Sequence, residues 1–368
     1  MKIALVGGGT GGHIFPIIAV VEAIREKIGA DTEFVYFGSG SELEQRVMKR
    51  AGIGSKHIIS GKFRRYVSFR NVIDFFKLPI GIVQSLWLLL FYMPDAVFSK
   101  GGYASVPVIV VAWLYRIPIL IHESDARPGL ANRWLARLAK RVAISYPTAA
   151  QYFPAGKTAL TGVPVNNDLL GGSAVAARTQ FHLSESKPTV LVLGGSQGSQ
   201  AINRAVVKIL PKLLFHAQVI HQTGEANYER IVHLAAEYGA KPGYGGYITL
   251  PFIEPETLKD VLALADAVVS RAGATSIAEI AANGKPSILV PLASAANDHQ
   301  RMNAYEIAAV GGALVLEESN LGETILFENI EKILFDQQLK TSIAEKIRLF
   351  YHPEAAEKIA TGLIEIIR

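Results

Sequence analysis

A glycine-rich segment that ends in a histidine follows the first apolar run of the chain. Residues 7–13 read Gly-Gly-Gly-Thr-Gly-Gly-His, directly after the apolar run 2–6. Backbone N–H groups in such a loop can close around a phosphate or diphosphate, helped by the positive end of the next helix. An imidazole can take a proton from a hydroxyl at neutral pH. The segment therefore predicts an anion cradle with His13 as a general base, the alternative being a packed or helix-capping histidine.

The same segment matches the dinucleotide pattern G-x-G-x-x-G through Gly7, Gly9 and Gly12. A NAD-binding unit also places an acid at the end of its second strand to hold the ribose. Here the second apolar run ends in Phe-Gly-Ser-Gly at 37–40, without an acid. The segment therefore favours a diphosphate over NAD.

Four more polar segments follow apolar runs. Residues 194–199 (Gly-Gly-Ser-Gln-Gly-Ser) offer N–H groups and hydroxyls to a second phosphate pair. Residues 270–279 place small side chains at a helix start, and the carboxylate of Glu279 can accept bonds from a sugar diol. Residues 297–300 (Asn-Asp-His-Gln) suit a hydroxyl-rich ligand, and 122–125 (His-Glu-Ser-Asp) predict a second acid/base group. Plain turns, solvated loops or a solvated helix charge are the alternatives.

Short apolar runs alternate with helical patterns, which predicts parallel sheets with helices on both faces. We expect an α/β chain with two doubly wound, Rossmann-like domains that face each other across a cleft. Gly162 and Pro164 interrupt regular structure, which predicts a first domain that ends at 163 and a second domain that begins at 164. The predicted strands are 2–6, 33–37, 57–59, 95–99, 118–122, 141–144 and 158–160, then 189–193, 218–221, 247–251, 266–270, 287–291 and 313–316.

Composition limits the function classes. Half of the 368 residues are hydrophobic, which allows a large core, and the absence of cysteine excludes disulfides and thiolate metal sites. Neither H-E-x-x-H nor D-x-D occurs, so no metal site is expected. The run 2–6 is too short for a signal peptide. Residues 1–163 carry 20 basic and 10 acidic side chains, against 17 and 22 in 164–368, which predicts an anionic partner for the first half.

A basic, aromatic segment at 62–70 precedes the longest apolar stretch, 78–93. That stretch is shorter than the roughly 20 residues that span a bilayer. Aromatic rings and cations together suit an anionic membrane surface, or alternatively single-stranded nucleic acid. The neighbouring apolar stretch favours the membrane, so we expect a membrane partner and no nucleic acid; an internal role for the apolar stretch is the alternative.

Six segments in this order resemble the MurG family of bacterial N-acetylglucosaminyltransferases over nearly the whole chain. They are 8–16, 101–105, 122–123, 194–198, 271–279 and 299–304. The resemblance implies a glycosyltransferase B fold that moves GlcNAc from UDP-GlcNAc to an undecaprenyl-diphosphate-linked acceptor, lipid I, with inversion and without a cofactor. It implies a peripheral protein at the cytoplasmic face of the plasma membrane.

The resemblance also implies roles for individual residues. The second domain should hold the nucleotide sugar, with Ser196 on phosphate, Ile253 on uracil and Glu279 on ribose, while Gln300 contacts GlcNAc. His13 is the leading base, and His122 with Glu123 the runner-up. The C-terminal helix in 352–368 should pack on the first domain, 1–163, so that the second domain is 164–351. The other substrate-binding candidates are Thr10, Gly11, Gly12, Asp125, Asn166, Ala274, Thr275, Ser276, Ile277 and Ala278.

The chain departs from the family at two positions. Asn166 stands where the family commonly has arginine, and Ser124 with Asp125 replaces Gln-Asn. Losing a cation and gaining an acid weakens anion affinity unless Lys100 or Arg271 compensates. The alternative functions are a UDP-GlcNAc 2-epimerase, a non-catalytic UDP-sugar-binding protein, and a glycolipid synthase acting on diacylglycerol.

Overall fold

The computed structural model describes residues 1–29, 31–61 and 69–368. The basic segment predicted at 62–70 lies largely outside these residues, and the side chains of 69–73 are not described. The described chain forms alternating strands and helices, as the sequence predicts. The strands are β1 (Lys2–Val6), β2 (Glu33–Gly38), β3 (Gly54–His57), β4 (Ala96–Ser99), β5 (Ile119–Glu123), β6 (Arg141–Ile144), β7 (Thr158–Leu160), β8 (Thr189–Leu193), β9 (Gln218–Gln222), β10 (Tyr247–Leu250), β11 (Ala267–Arg271), β12 (Ser287–Val290) and β13 (Leu314–Val315).

Fourteen α-helices connect these strands in the described part of the chain. They are α1 (Gly11–Ile28), α2 (Glu42–Arg50), α3 (Phe69–Tyr92), α4 (Ser105–Leu114), α5 (Leu130–Leu135), α6 (Ala174–Gln180), α7 (Gln200–His216), α8 (Tyr228–Glu237), α9 (Pro255–Leu264), α10 (Ala274–Ala282), α11 (His299–Ala309), α12 (Glu323–Phe335), α13 (Gln337–Ile347) and α14 (Ala355–Ile367).

The chain divides into two compact units. Unit 1 comprises Met1–Val165 and His352–Arg368, and unit 2 comprises Asn166–Tyr351. Helix α14 belongs to unit 1, where Ile359, Ala360 and Leu363 join the core formed by α1 and the first strands. An ion pair of 2.7 Å between Lys27 and Glu357 lies at the surface of this packing.

Unit 1 contains a seven-stranded parallel sheet in the order β3-β2-β1-β4-β5-β6-β7. Its inner strands are buried runs of apolar side chains, because helices cover both faces of such a sheet. The order reverses between β1 and β4, and the crevice beyond the carboxyl ends of strands at such a reversal is where open α/β sheets bind ligands. The loops that follow β1 and β4 therefore lie at the favoured ligand position of this unit.

Unit 2 contains a six-stranded parallel sheet in the order β10-β9-β8-β11-β12-β13. Here the order reverses between β8 and β11, so the loops that follow these two strands take the same position. The fold class predicted from the sequence, two doubly wound α/β sheets, is confirmed. One strand is misplaced: the prediction was 57–59, and β3 is Gly54–His57. This strand is at the sheet edge and its residues are exposed, so apolar patterning gives little information on its ends.

Among the described residues, no helix is long and apolar enough to cross a membrane. Helix α3 is long, but its apolar side chains do not all turn inward. Seven large hydrophobic side chains at its surface or just beyond its end are more than two-fifths exposed: Phe76, Ile80, Val83, Trp87, Leu90, Phe91 and Met93.

Candidate active site

The two glycine loops of unit 1 pack backbone against backbone. The loop after β1 contains Gly8, and the loop after β4 contains Gly101 and Gly102, both at positive φ. A Cβ atom on Gly102 would come within 2.9 Å of the Gly8 Cα. Only glycine fits this approach, since real Cβ atoms are never that close to a backbone carbon. The loops therefore form one surface of backbone groups beside the start of α1.

Thr10 holds the imidazole of His13 at this surface. Thr10 is the N-cap residue of α1, but its hydroxyl makes no capping bond to the helix backbone. Its Oγ1 lies 2.9 Å from His13 Nδ1 instead. An N-cap threonine ordinarily accepts a hydrogen bond from a backbone N–H of the first turn. Here the hydroxyl contacts the His13 side chain and does not cap the helix. The contact orients the imidazole through its Nδ1. Gly11 and Gly12, the other predicted residues of this loop, form the first turn of the helix.

His122 is buried and hydrogen-bonded through both ring nitrogens, which favours a structural role over the predicted one as the second base. It is fully buried at the end of β5. Its Nδ1 is 2.8 Å from Lys100 Nζ, and its Nε2 is 2.9 Å from the Gly162 carbonyl oxygen. Burial and the Lys100 ammonium hold the pKa of His122 well below its usual range. The neutral ring accepts from Lys100 and donates to Gly162, so neither nitrogen is left to take a substrate proton.

Glu123 organises the loop that follows β5. Its carboxylate accepts hydrogen bonds from the backbone N–H groups of Asp125 (3.0 Å) and Gly129 (3.2 Å) and from Asn132 Nδ2 (3.0 Å). Burial and the neighbouring Asp125 raise the pKa of Glu123. Sequence reasoning missed Asn132, which lies nine residues further on and is brought to Glu123 by α5. Glu123 thus fixes Asp125 just beyond the carboxyl end of β5.

Lys100 is a buried cation that lies among these acids. It is 3% exposed, and its ammonium donates to His122 and to Ser124 Oγ. Burial lowers the pKa of Lys100, whereas Glu123 and Asp125 raise it. The acid gained at Asp125 therefore has a nearby cation within the same unit.

Replacing Lys100 with methionine is expected to destabilise unit 1. The change removes the donors to His122 and Ser124 and leaves the acids without their cation, which at buried sites costs about 3–5 kcal/mol. Urea denaturation followed by circular dichroism measures the loss. The double variant Lys100→Met/Asp125→Asn should recover part of it, because one acid is removed as well. Equal stability of the single and double variants would show that Lys100 does not balance Asp125.

In unit 2 the predicted donor residues follow adjacent or near-adjacent strands. Ser196 lies in the glycine loop after β8, where Gly195 and Gly198 have positive φ. Ile253 follows β10 and is 2% exposed. Five predicted residues, Ala274, Thr275, Ser276, Ile277 and Ala278, form the start of α10, which follows β11. The N-cap residue of this helix is Gly273, so no side chain of the N-cap residue bonds the first backbone N–H groups. These N–H groups can therefore bind an anion.

Glu279 is a partly buried carboxylate near the start of α10. Burial raises its pKa to about 7. No hydrogen bond or ion pair to its carboxylate occurs within the described part of the chain. A polar group that is withdrawn from water without a partner is costly, and a ligand hydroxyl that donates to it relieves that cost. The structure therefore favours a binding residue over the solvated helix charge.

Three other residues already have intramolecular partners. Gln300 Oε1 accepts from the Leu292 backbone N–H at 3.0 Å, which leaves its amide nitrogen for a sugar. Asn166 Oδ1 accepts from the Asp168 N–H at 2.7 Å and so caps a short turn. Arg271 forms an ion pair of 2.7 Å with Glu318 and donates to the carbonyl groups of Val290, at the end of β12, and Pro291. Arg271 therefore holds neighbouring segments of unit 2 together.

Comparisons with known proteins agree over the whole chain. The family models for the glycosyltransferase family 28 N-terminal and C-terminal domains match residues 3–144 and 189–359. A protein of Bacillus subtilis (strain 168) is 35% identical over 369 residues, covering 100% of this chain and 99% of its own length. It is named UDP-N-acetylglucosamine--N-acetylmuramyl-(pentapeptide) pyrophosphoryl-undecaprenol N-acetylglucosamine transferase.

Solved structures give the same result. The crystal structure of Acinetobacter baumannii MurG superposes with a TM-score of 0.73 at 28% identity, covering 99% of both chains. A UDP-GlcNAc 2-epimerase from Neisseria meningitidis, bound to UDP-GlcNAc, reaches 0.69 at 14% identity, covering 99% of this chain and 100% of its own. At such low identity the second likeness shows the fold alone.

Proposed function

Because the chain belongs to glycosyltransferase family 28, and within it to the MurG transferases, we propose that it transfers N-acetylglucosamine from UDP-GlcNAc to the C4 hydroxyl of N-acetylmuramic acid in lipid I. The product, lipid II, serves peptidoglycan synthesis. The observation that carries this proposal is the match of one chain, from end to end, to both family domains and to a named transferase.

Unit 2 binds the donor in this proposal. The glycine loop with Ser196 and the uncapped start of α10 offer N–H groups and hydroxyls to the diphosphate. Ile253 lies against uracil, and Glu279 accepts bonds from the ribose hydroxyls. Gln300 donates to the GlcNAc hydroxyls. The same dipole that binds the diphosphate stabilises the negative charge that develops on UDP as it leaves.

Unit 1 binds the acceptor and supplies the base. The acceptor O4 attacks the anomeric carbon, the bond from that carbon to the UDP oxygen breaks, and the O4 proton passes to His13 Nε2. The contact between Thr10 Oγ1 and His13 Nδ1 orients the ring for this transfer. A single displacement of this kind inverts the configuration and yields a β-1,4 bond. Backbone groups of the paired glycine loops suit the acceptor diphosphate, whose polyprenyl chain remains in the membrane.

The transfer is tested by incubating the full chain with radiolabelled UDP-GlcNAc and a soluble lipid I analogue. We expect a labelled disaccharide product whose linkage resists α-hexosaminidase and yields to β-hexosaminidase, together with UDP. Release of a free monosaccharide or of an isomerised UDP-sugar without acceptor would instead favour the epimerase. UDP-GlcNAc binding without turnover would favour the non-catalytic protein, and transfer to diacylglycerol would favour the glycolipid synthase.

We further propose that the exposed face of α3 rests on the cytoplasmic surface of the plasma membrane. The residues Phe76, Ile80, Val83, Trp87 and Phe91 recur at intervals of three and four, which places them on one face of the helix. A soluble surface rarely carries so long an apolar stripe, and aromatic rings suit the headgroup region. The rings of Trp87 and Phe91 stack at 6.0 Å. The basic segment 62–70 precedes this helix in the sequence.

Replacing Trp87 and Phe91 together with glutamate should weaken membrane binding by about tenfold or more, because two large apolar groups are lost and two like charges are introduced. Co-sedimentation with vesicles of phosphatidylglycerol and phosphatidylethanolamine measures the effect. Phe215→Glu is the matched control, since Phe215 is 80% exposed in unit 2. Equal vesicle binding by both variants and the unaltered protein would contradict the proposed surface.

A further inference from the structure

Gln222 lies between two loops that the donor site requires. It is the last residue of β9 and is 5% exposed. Strand β9 runs between β8 and β10, and Gln222 is in register with Leu193 on one side and Leu250 on the other. These two residues end their strands, so the loops that follow them begin on either side of Gln222. The mechanism above leaves this side chain without a role.

The Gln222 amide bonds both loops at once. Its Nε2 donates to the carbonyl oxygen of Gly195, in the phosphate loop, at 3.0 Å. Its Oε1 accepts from the backbone N–H of Ile253, in the uracil loop, at 3.1 Å. One side chain thus connects the loop that contains Gly195 to the loop that contains Ile253 through two hydrogen bonds, the second of them buried.

The backbone after β9 continues the same connection. The N–H groups of Thr223 and Gly224 donate to Leu250 and Pro251, on the uracil side. On the phosphate side, a Cβ on Gly224 would come within 2.6 Å of the Gly198 Cα, so these two segments touch backbone to backbone. Both loops are therefore held against the segment that follows β9.

We propose that Gln222 is a positioning residue that couples uracil recognition to diphosphate binding, so that a uridine diphosphate binds more tightly than its parts predict. The inference rests on the proposed function, because it takes the donor to lie on these two loops. Its chemical consequence is selectivity. A ligand with only the base or only the diphosphate orders one loop. A ligand that joins the two parts orders both loops, and the Gln222 hydrogen bonds then increase its affinity.

The chain contains a matched control on the same strand. Gln218 is the first residue of β9 and is 3% exposed. Its amide also bridges backbone segments, accepting from Ser184 N and donating to the carbonyl groups of Ser184 and Lys187. It lies four residues from Gln222, at the amino end of the strand and away from the donor loops. Loss of either amide removes hydrogen bonds to backbone groups, but only the Gln222 amide connects the donor loops.

The test is isothermal titration calorimetry of the full chain with UDP, uridine and inorganic diphosphate. Gln222→Met should weaken UDP binding about 10- to 100-fold, which is the effect of losing two hydrogen bonds. Uridine binding should change by less than about threefold, so the ratio of the UDP and uridine affinities should fall by at least about threefold. In Gln218→Met this ratio should remain within about twofold of the original value, whatever the change in Tm. In the transfer assay, Gln222→Met should raise the donor KM and leave the acceptor KM unchanged.

A second variant covers the case in which Gln222→Met does not fold. Gln222→Glu keeps an acceptor for the Ile253 N–H but places a carboxylate against the Gly195 carbonyl, so the same affinity ratio should fall. An unchanged or higher ratio in the folded Gln222 variants, or an equal fall in Gln218→Met, would overturn the coupling while UDP still binds the unaltered protein. Failure of the unaltered protein to bind UDP would overturn the proposed function, and the coupling with it.

Discussion

Replacement of His13 by alanine is expected to lower kcat for GlcNAc transfer by about 10²- to 10⁴-fold, which is the usual contribution of a positioned general base. The affinity for UDP should be unchanged, because His13 belongs to unit 1 and the proposed donor residues belong to unit 2. Steady-state transfer to a lipid I analogue measures kcat, and calorimetric titration measures UDP affinity. A large loss of kcat at constant UDP affinity would identify a residue that acts in the chemical step.

Variants of Thr10 separate the base role from a structural one. Thr10→Ser keeps a hydroxyl for the contact with His13 Nδ1, whereas Thr10→Val keeps the shape and loses the hydroxyl. Serine should retain most of the activity, and valine should lower kcat by about tenfold or more, because the ring loses the contact that orients it. His233→Ala, at an exposed histidine of unit 2, is the matched control. Undiminished transfer by His13→Ala would remove His13 from the base role.

Replacement of Glu279 by glutamine is the second large effect we expect. The carboxylate is partly buried and has no partner among the described residues, so ribose hydroxyls that donate to it would gain charge-assisted hydrogen bonds. A neutral amide loses that assistance, and the donor KM should rise about 10- to 100-fold. Since the ribose is remote from the reacting carbon, kcat should change much less. A changed kcat with an unchanged donor KM would place Glu279 elsewhere in the reaction.

The pH dependence of binding gives an independent test of Glu279. Its pKa is raised to about 7 by burial, so the acid is largely protonated below that pH. Ribose hydroxyls donate to the ionised form, which means that binding must release the proton at low pH. Uridine affinity should therefore fall as pH drops below about 7, by up to tenfold per pH unit. Uridine is the ligand of choice here because it carries no phosphate group that would titrate in the same pH range. Glu279→Gln should abolish this dependence, and a persistent slope would assign it to another group.

The fold was largely predictable because both sheets are parallel and buried. Strands of this kind are apolar runs between helical patterns, and β1, β6, β7 and β8 have the predicted bounds. The edge strand β3 was displaced, since its exposed residues carry no apolar signal. Glu123 and Gln222 were predicted to lie just beyond their strands, but each is the last residue of its strand.

The candidate site was predictable only where one segment carries the whole signal. The glycine loop with Thr10 and His13 is such a segment, as is the start of α10. The partners of His122 were not predictable, because Lys100 and Gly162 come from other strand ends and only the fold brings them together. Their contacts turn a histidine with the sequence context of a base into a buried structural residue. Gln222 was missed because a glutamine at the end of a strand has no distinctive sequence pattern.

The assignment of the donor to unit 2 is tested most directly by hydrogen–deuterium exchange of the full chain with and without saturating UDP-GlcNAc. Slower exchange is predicted in three segments of unit 2, namely 194–198, 251–253 and 273–279, while the glycine loop at 7–13 exchanges as before. Slower exchange confined to 7–13, or none in either unit, would contradict the account.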